Sequence, residues 1–129
     1  MSRTIKFRAW VPKYKEMFTV AILSWNQDGS LLIKLKEHMD ADFYRPGAAE
    51  IQLMQFTGLT DMHDTEIYEG DIVKFAGYSQ DEKFTSQIIF DQGIFRPKMW
   101  SEPLGFYKSK EVIGNIYEHP ELVKRSRHE

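Results

Sequence analysis

Hydrophobic and polar residues alternate from the start of this 129-residue chain. Between residues 5 and 10 the two alternating sets are Ile5, Phe7 and Ala9, and Lys6, Arg8 and Trp10. A period of two residues is typical of a strand with one buried face. Pro12 interrupts the pattern because it cannot donate to a strand ladder. We therefore expect a first strand, a turn, and a returning strand over residues 17–25.

A second turn and a third strand follow. Residues 26–30, Asn-Gln-Asp-Gly-Ser, form a strong turn signal in which Gly29 is free to adopt positive φ. After this turn the two alternating sets are Leu31, Ile33 and Leu35, and Leu32, Lys34 and Lys36. The pattern predicts a three-stranded antiparallel meander as an N-terminal lobe over residues 1–36.

Residues 37–50 lose the alternation and contain Arg45-Pro46-Gly47, a chain-reversal signal. This segment is predicted to connect the two lobes, and a short helix or an irregular loop would both fit it.

The C-terminal lobe is predicted over residues 51–122. A strand begins at Ile51 and is expected to end at Gly58, and a polar turn follows over residues 60–65. Gly70 then allows a corner before the apolar strand 72–75. A corner of this kind, followed by a hairpin loop at 77–82 and a strand over 84–91, is typical of SH3-like barrels.

The rest of this lobe is less regular. Residues 92–109 are predicted as a long connection with a short strand at 94–96, and residues 111–117 as the last strand. Pro120 suits a final helical turn, and the polar tail 123–129 is expected to fray. Together the patterns predict a mainly-β chain of distorted antiparallel sheets that form partly open small barrels, with few helical turns.

Composition restricts the function classes. The chain has no cysteine, which fits a reducing cytoplasm, and no apolar run near the roughly 20 residues needed to span a bilayer. Its 17 basic and 19 acidic residues give a net charge of −2, so any nucleic-acid binding would need a local basic patch. The expected location is the cytoplasm, without membrane contact.

Three blocks of sequence resemble the YopX-like family of phage and prophage proteins. They are KFRAW at 6–10, LMQFTGLTDMHDTEIYEGDIVKF at 53–75 and EVIGNIYEHPEL at 111–122. The resemblance implies partly closed antiparallel barrels, a phage or prophage origin and an undefined molecular role. Two departures stand out, Val11-Pro12 after the tryptophan and Asp64 where the family usually has glycine. Aspartate tolerates the left-handed region better than most residues, so the turn should survive.

The acidic residues of the middle block do not form a recognisable metal site. They are Asp61, Asp64, Glu66, Glu69 and Asp71. An EF-hand loop counted from Asp61 would need glycine at its sixth position and glutamate at its twelfth, and neither is present. We interpret the cluster as turn chemistry and solvated charge.

Other cofactor and catalytic signatures are also missing from the sequence. The histidines lack zinc-ligand spacing and are read as surface residues: His38, His63, His119 and His128. Neither a serine nucleophile elbow nor a phosphate-binding glycine loop occurs. No metal, cofactor or enzymatic activity is predicted.

Two modes of action remain. The first is binding of a host or phage protein, with self-association through exposed strand edges as one form of it. The alternative is weak nucleic-acid binding by an N-terminal basic face with aromatic side chains for stacking, consisting of Lys6, Arg8, Trp10, Lys34 and Lys36, with Lys13, Tyr14 and Lys15 in the nearby turn. Lysines can equally be present to protect an edge strand from aggregation.

Overall fold

The computed structural model of the protein describes residues 4–36, 43–46, 51–76 and 83–122. The described strands are β1 (Phe7–Val11), β2 (Glu16–Trp25), β3 (Leu31–Leu35), β4 (Gln52–Thr60), β5 (Glu66–Tyr68), β6 (Asp71–Ala76), β7 (Lys83–Asp91), β8 (Ile94–Pro97) and β9 (Lys110–Asn115). Helical structure in these ranges is limited to a 3-10 turn at Leu104–Phe106 and a last turn that begins at Pro120. The prediction of a mainly-β chain is confirmed.

The strands form two antiparallel sheets. One has the strand order β3-β2-β1-β4-β5 and the other the order β8-β7-β6-β9. Over the described residues both orders are linear, so neither sheet closes into a barrel. The chain divides into two compact units, one over Thr4–Gln55 and one that begins at Phe56.

The first unit contains the predicted meander. β1 pairs with β2, and β2 pairs with β3, both antiparallel. Gly29 has φ +89° in the connecting turn, as predicted. β1 also pairs with β4, with Arg8 opposite Met54. β1 is therefore an interior strand, so protection of an edge strand does not explain Lys6 and Arg8.

The core of this unit lies on one face of the meander. The buried residues are Ala9, Val11, Phe18, Ile33, Leu35, Tyr44 and Ile51. Tyr44 adds to the edge of β3, because its backbone exchanges two hydrogen bonds with Ile33, at 2.7 and 2.8 Å. Within the predicted connection only residues 43–46 are described, and they are extended rather than helical.

Gly58 was expected to end this strand, but β4 continues past it. The strand continues to Thr60, and its pairing with β5 shifts register between Phe56 and Thr60. Gly58 has φ +90° within this irregular stretch. A glycine in a strand pattern can mark a bulge as well as an end, and here it marks the bulge.

The second unit contains the four-stranded sheet. β6 pairs with β7 as predicted, although the loop at 77–82 lies outside the described residues. β7 and β8 form a hairpin whose two turn residues, Gln92 and Gly93, have φ of +51° and +86°. Positive φ at both positions is the signature of a type I′ turn.

The last strand is shorter than predicted. β9 ends at Asn115 rather than at Tyr117. The Asn115 side-chain oxygen accepts hydrogen bonds from the backbone N–H groups of Tyr117 and Glu118, at 3.0 and 2.9 Å. These bonds close a turn, which asparagine favours over a continued ladder.

The core of the second unit consists of Ile67, Val73, Phe75, Ile88 and Leu104. Partly buried side chains pack around it, among them Phe84, Trp100 and Tyr107. In the described part of the chain no helix is long and apolar enough to span a membrane.

Candidate functional site

Aromatic rings cluster against β6 and β7 in the second unit. Phe75 is fully buried, and its ring centroid lies 5.7 Å from that of Phe84 and 5.0 Å from that of Tyr107. Trp100 lies over Phe84 at 4.2 Å, in a tilted arrangement. Aromatic pairs at such distances are favourable beyond the area that they bury. The cluster therefore forms a rigid layer of large side chains at the border between core and surface.

Arg96 holds the segment that carries Trp100. Its guanidinium donates to the backbone carbonyls of Pro97, Lys98 and Trp100, at 3.0, 3.2 and 3.0 Å. It also donates to the Asp91 carboxylate at 3.0 Å. A planar guanidinium can satisfy several acceptors in a fixed geometry. The Arg96 guanidinium therefore fixes the irregular segment 97–100, which supports the indole ring of Trp100.

A 3-10 turn places the other two rings. Leu104 is 1% exposed and anchors the turn in the core. Phe106 and Tyr107 follow, and the backbone N–H of Phe106 donates to Pro103 at 2.9 Å. Tyr107 turns toward the core, whereas Phe106 is 60% exposed and meets the Tyr107 ring edge to face at 5.2 Å.

These elements enclose a mainly apolar groove of about 440 Å³, which we call the aromatic groove. Its lining consists of Ala76, Phe84, Trp100, Glu102, Phe106, Tyr107, Lys108 and Ser109. A concave surface with aromatic walls and a few polar groups is typical of a binding site.

The polar groups of the groove are mostly hydrogen-bond donors. The Tyr107 hydroxyl donates to the Glu102 carboxylate at 3.2 Å. The indole N–H of Trp100 donates no hydrogen bond to any of the described residues. Beside the groove the Lys110 ammonium donates to the Tyr107 carbonyl. Burial lowers the pKa of Lys110, and the neighbouring positive charge of Lys108 lowers it further.

The residues predicted for nucleic-acid contact belong to the first unit. Arg8 and Trp10 share one face of β1, opposite Ala9 and Val11, and both are half-buried. Trp10 lies opposite Met17 in β2 and Gln52 in β4. Lys6, just before β1, is also half-buried and has interaction partners.

Lys34 and Lys36 are exposed, at and just beyond β3. The Lys34 ammonium lies 6.0 Å from the centroid of the Phe43 ring, which is itself 41% exposed. The predicted set thus separates into an exposed pair with an aromatic neighbour and three less accessible residues. Lys13 and Tyr14 also contact each other in the first turn, with the ammonium 5.5 Å from the ring.

The acidic cluster has a structural role that sequence reasoning described only in part. Asp64 is exposed and has φ +65°, so it adopts the left-handed conformation predicted for it. Asp61 and Asp71 are buried, so the interpretation as solvated charge is wrong for both. The Asp61 carboxylate accepts hydrogen bonds from the backbone N–H groups of His63 and Thr65, and the Asp71 carboxylate accepts one from the N–H of Tyr68. A buried charge requires partners of this kind. Within the described residues no group of three or more histidine, aspartate or glutamate side chains could hold a metal ion.

Two of the four histidines lie within the described residues, and they differ in exposure. His63 is on the surface, as predicted, with Nε2 3.3 Å from the Glu111 carboxylate. His119 is half-buried, and its Nδ1 accepts a hydrogen bond from the backbone N–H of Asn115 at 3.2 Å. His38 and His128 lie outside the described residues.

The aromatic groove was missed by sequence reasoning, which treated residues 92–109 as a long connection with a short strand at 94–96. A signal was present in WSEPLGFY, because three aromatic residues fall within eight positions of an irregular segment. Large side chains in a loop are a stronger indication of function than the same residues in a strand. Phe84, from a neighbouring strand, could not have been assigned to the groove without the fold.

Comparisons with known proteins identify the family. A family model described as YopX protein matches residues 6–124. The chain belongs to the YopX family. This confirms the resemblance of the three sequence blocks.

Solved structures agree with this membership. The chain is similar to the crystal structure of protein EF1440 from Enterococcus faecalis, with a TM-score of 0.69 and 26% identity over 95% of this chain and 99% of that one. It shares its fold with the YopX protein from Bacillus subtilis, with a TM-score of 0.65 and 21% identity over 95% and 97% of the two chains. No curated protein matches the chain significantly.

Proposed function

We propose that this YopX-family chain is a non-enzymatic accessory protein of a phage or prophage, which acts in the bacterial cytoplasm by binding another protein through the aromatic groove. The observation that carries the proposal is the exposure of aromatic side chains on a fixed support. Phe106 is 60% exposed and lines the groove together with Trp100 and Tyr107, and Arg96 and Leu104 hold the segment that presents these rings.

Aromatic side chains suit this role for energetic reasons. Tryptophan and tyrosine are enriched among the residues that contribute most to protein–protein binding, because they bury a large area at a small cost in side-chain entropy. In the groove their rotamers are already restricted by ring contacts of 4.2 to 6.4 Å. A partner segment would therefore bind to a preorganised surface.

Affinity capture from a bacterial lysate treated with nuclease tests the proposal. The bait proteins are the wild type, Phe106→Ala and Phe90→Ala. Both phenylalanines are more than half exposed in the same unit, but Phe90 lies in β7 outside the groove lining. We expect a partner that is lost with Phe106→Ala and retained with Phe90→Ala. Equal capture by all three baits would contradict a role for the groove.

A second copy of the chain is one form of such a partner. Light scattering across a concentration series measures self-association directly. A mass that rises with concentration in the wild type but stays monomeric in Phe106→Ala would identify the second copy as the ligand of the groove.

The second candidate function is nucleic-acid binding by the first unit. Between residues 4 and 36 there are six basic and two acidic residues, although the whole chain is slightly acidic. Lys34 beside the exposed Phe43 ring combines a cation with a stacking surface, as single-strand binding proteins do.

The structure indicates which residues should be changed to test this candidate. Arg8 is half-buried in an interior strand, so its substitution would also perturb the fold. Lys34 and Lys36 are exposed, and a double alanine variant should fold normally. Binding of a labelled single strand that weakens with salt and with this variant supports the candidate. No gel shift at low salt would argue against it.

A further inference from the structure

We infer that the aromatic groove binds an extended, proline-containing peptide segment that carries a basic residue next to its prolines. The inference rests on the proposed protein-binding function and specifies the chemistry of the ligand. Three features of the groove support it, namely the spacing of its rings, the type of its polar groups and the position of its carboxylate.

Ring spacing fits the polyproline II conformation. The centroids of Trp100 and Tyr107 are 6.4 Å apart, and those of Tyr107 and Phe106 are 5.2 Å apart. A polyproline II helix rises about 3.1 Å per residue, so two residues span about 6 Å. Prolines two positions apart could therefore contact successive rings. A proline-containing peptide already adopts the polyproline II helix when it is free, so it loses little conformational entropy on binding.

The polar groups favour the same ligand. A polyproline II segment has no internal hydrogen bonds, so its carbonyls remain as acceptors, while each proline lacks an N–H. The lining residues Trp100 and Lys108 carry donors for such carbonyls, an indole N–H and an ammonium group. A peptide that added as a β-strand would instead require backbone acceptors and donors in alternation.

The carboxylate of Glu102 is the reason to expect a basic residue in the ligand. Among the described residues that line the groove it is the only carboxylate, and Tyr107 orients it through the 3.2 Å hydrogen bond. Glu102 is exposed, so a guanidinium or ammonium of the ligand can reach it. Charge complementarity of this kind contributes to orientation and specificity more than to affinity.

Titrations with labelled synthetic peptides test the inference. The probe is Arg-Pro-Leu-Pro-Pro-Leu-Pro, compared with a peptide in which alanine replaces every proline and with one in which glutamate replaces the arginine. Fluorescence polarisation measures affinity, and NMR follows the indole N–H signals of the three tryptophans, assigned by single Trp-to-Phe substitutions. We expect the probe to bind, to shift the Trp100 signal, and to leave unchanged the signal of Trp25, which is exposed in the first unit.

Variants attribute the binding to the groove. We expect Phe106→Ala to weaken it about five-fold or more, since aromatic anchors dominate binding energy. Glu102→Gln should weaken it about two- to five-fold and should remove the preference for arginine over glutamate in the peptide. Phe90→Ala is the matched control and should leave the affinity unchanged.

Different failures have different meanings. Equal binding of the proline and alanine peptides, or a shift of Trp25 in place of Trp100, would overturn the inference. A random peptide library selected on the wild type then tests the underlying proposal. If the selected peptides lack proline but still require Phe106, the protein-binding proposal stands without the inference. If no peptide depends on Phe106, both are wrong.

Discussion

The carboxylate of Asp61 accepts a hydrogen bond from the backbone N–H of Val112, 51 residues later in the chain, at 2.8 Å. Its other oxygen accepts from the N–H groups of His63 and Thr65, at 2.8 and 2.9 Å. One buried side chain therefore closes the turn after β4 and fastens it to β9. These are the middle and last blocks of sequence that resemble the YopX family, and Asp61 joins them physically.

Replacement of Asp61 by asparagine should destabilise the fold. Asparagine keeps one carbonyl oxygen, but its NH₂ group would face at least one of the three N–H donors, and a buried donor without an acceptor costs about 1–3 kcal/mol. We expect Asp61→Asn to lower the free energy of unfolding by that amount in urea titrations.

Asp64→Asn provides the control for this change. Asp64 is exposed at φ +65°, and asparagine adopts the left-handed region readily. Its stability should remain within about 0.5 kcal/mol of the wild type, as for most surface substitutions. If the two variants were equally stable, the carboxylate of Asp61 would not be a structural link.

Stability should also depend on pH through Asp61. Burial raises the pKa of its carboxyl group, but the hydrogen bonds from Val112, Thr65 and His63 outweigh burial and hold this pKa below its ordinary value. The stabilisation is therefore fully present above the unfolded-state pKa of about 4 and is lost as the pH falls through the lower pKa of the folded state. Urea titrations from pH 7 to pH 2 should show the stability difference between wild type and Asp61→Asn shrinking at the acidic end. A difference that grew on acidification would contradict this assignment.

Much of the fold could be predicted from the sequence, because a strand with one buried face shows a regular alternation of hydrophobic and polar residues. Ile33 and Leu35 are buried while Lys34 is exposed, as the alternation in β3 requires. Gly29 and Asp64 adopt positive φ as expected from their turn chemistry. The errors fall where tertiary contacts decide. Gly58 became a bulge because β5 pairs beyond it, and only pairing on both sides shows that β1 is interior.

The candidate site was harder to predict for the same reason. Phe84 comes from β7, whereas Trp100 and Tyr107 belong to one segment after β8. The contacts of these rings depend on the guanidinium of Arg96 and on Leu104 in the core. Neither of these supports has a short-range signature in the sequence. The basic residues of the first unit could be recognised in the sequence because they are close together in the chain. The sequence did not show which of them are exposed.

A methyl group at position 114 should be poorly tolerated. A Cβ built on Gly114 would lie 2.6 Å from Nδ1 and 2.8 Å from Cγ of His119. The imidazole is held there by the hydrogen bond from the Asn115 backbone. Overpacking of this kind typically costs about 1–3 kcal/mol, so Gly114→Ala should lower the melting temperature by several degrees.

Two further variants distinguish overpacking from a general glycine effect. Gly105→Ala places its Cβ 3.8 Å from Leu59, an ordinary contact, and should be neutral or slightly stabilising. Adding His119→Ala to Gly114→Ala removes the obstacle, so the double variant should be more stable than the sum of the two single effects predicts. Strict additivity would show that the imidazole is not what Gly114 accommodates.

Replacement of Arg96 by lysine should loosen the groove while retaining the charge. The Arg96 side chain is only 20% exposed and serves three carbonyls as well as the Asp91 carboxylate. A lysine ammonium cannot reproduce the planar fork, which leaves carbonyls of the 97–100 segment without a donor. We expect Arg96→Lys to cost about 1–3 kcal/mol of stability and to weaken the near-ultraviolet circular dichroism that arises from the packing of Trp100. Asp91→Asn removes only the partly exposed ion pair and should cost less than about 1 kcal/mol. Only Arg96→Lys disrupts the hydrogen bonds to the carbonyls of Pro97, Lys98 and Trp100. If Asp91→Asn had the same effect as Arg96→Lys, the ion pair and not these hydrogen bonds would hold Trp100 in place.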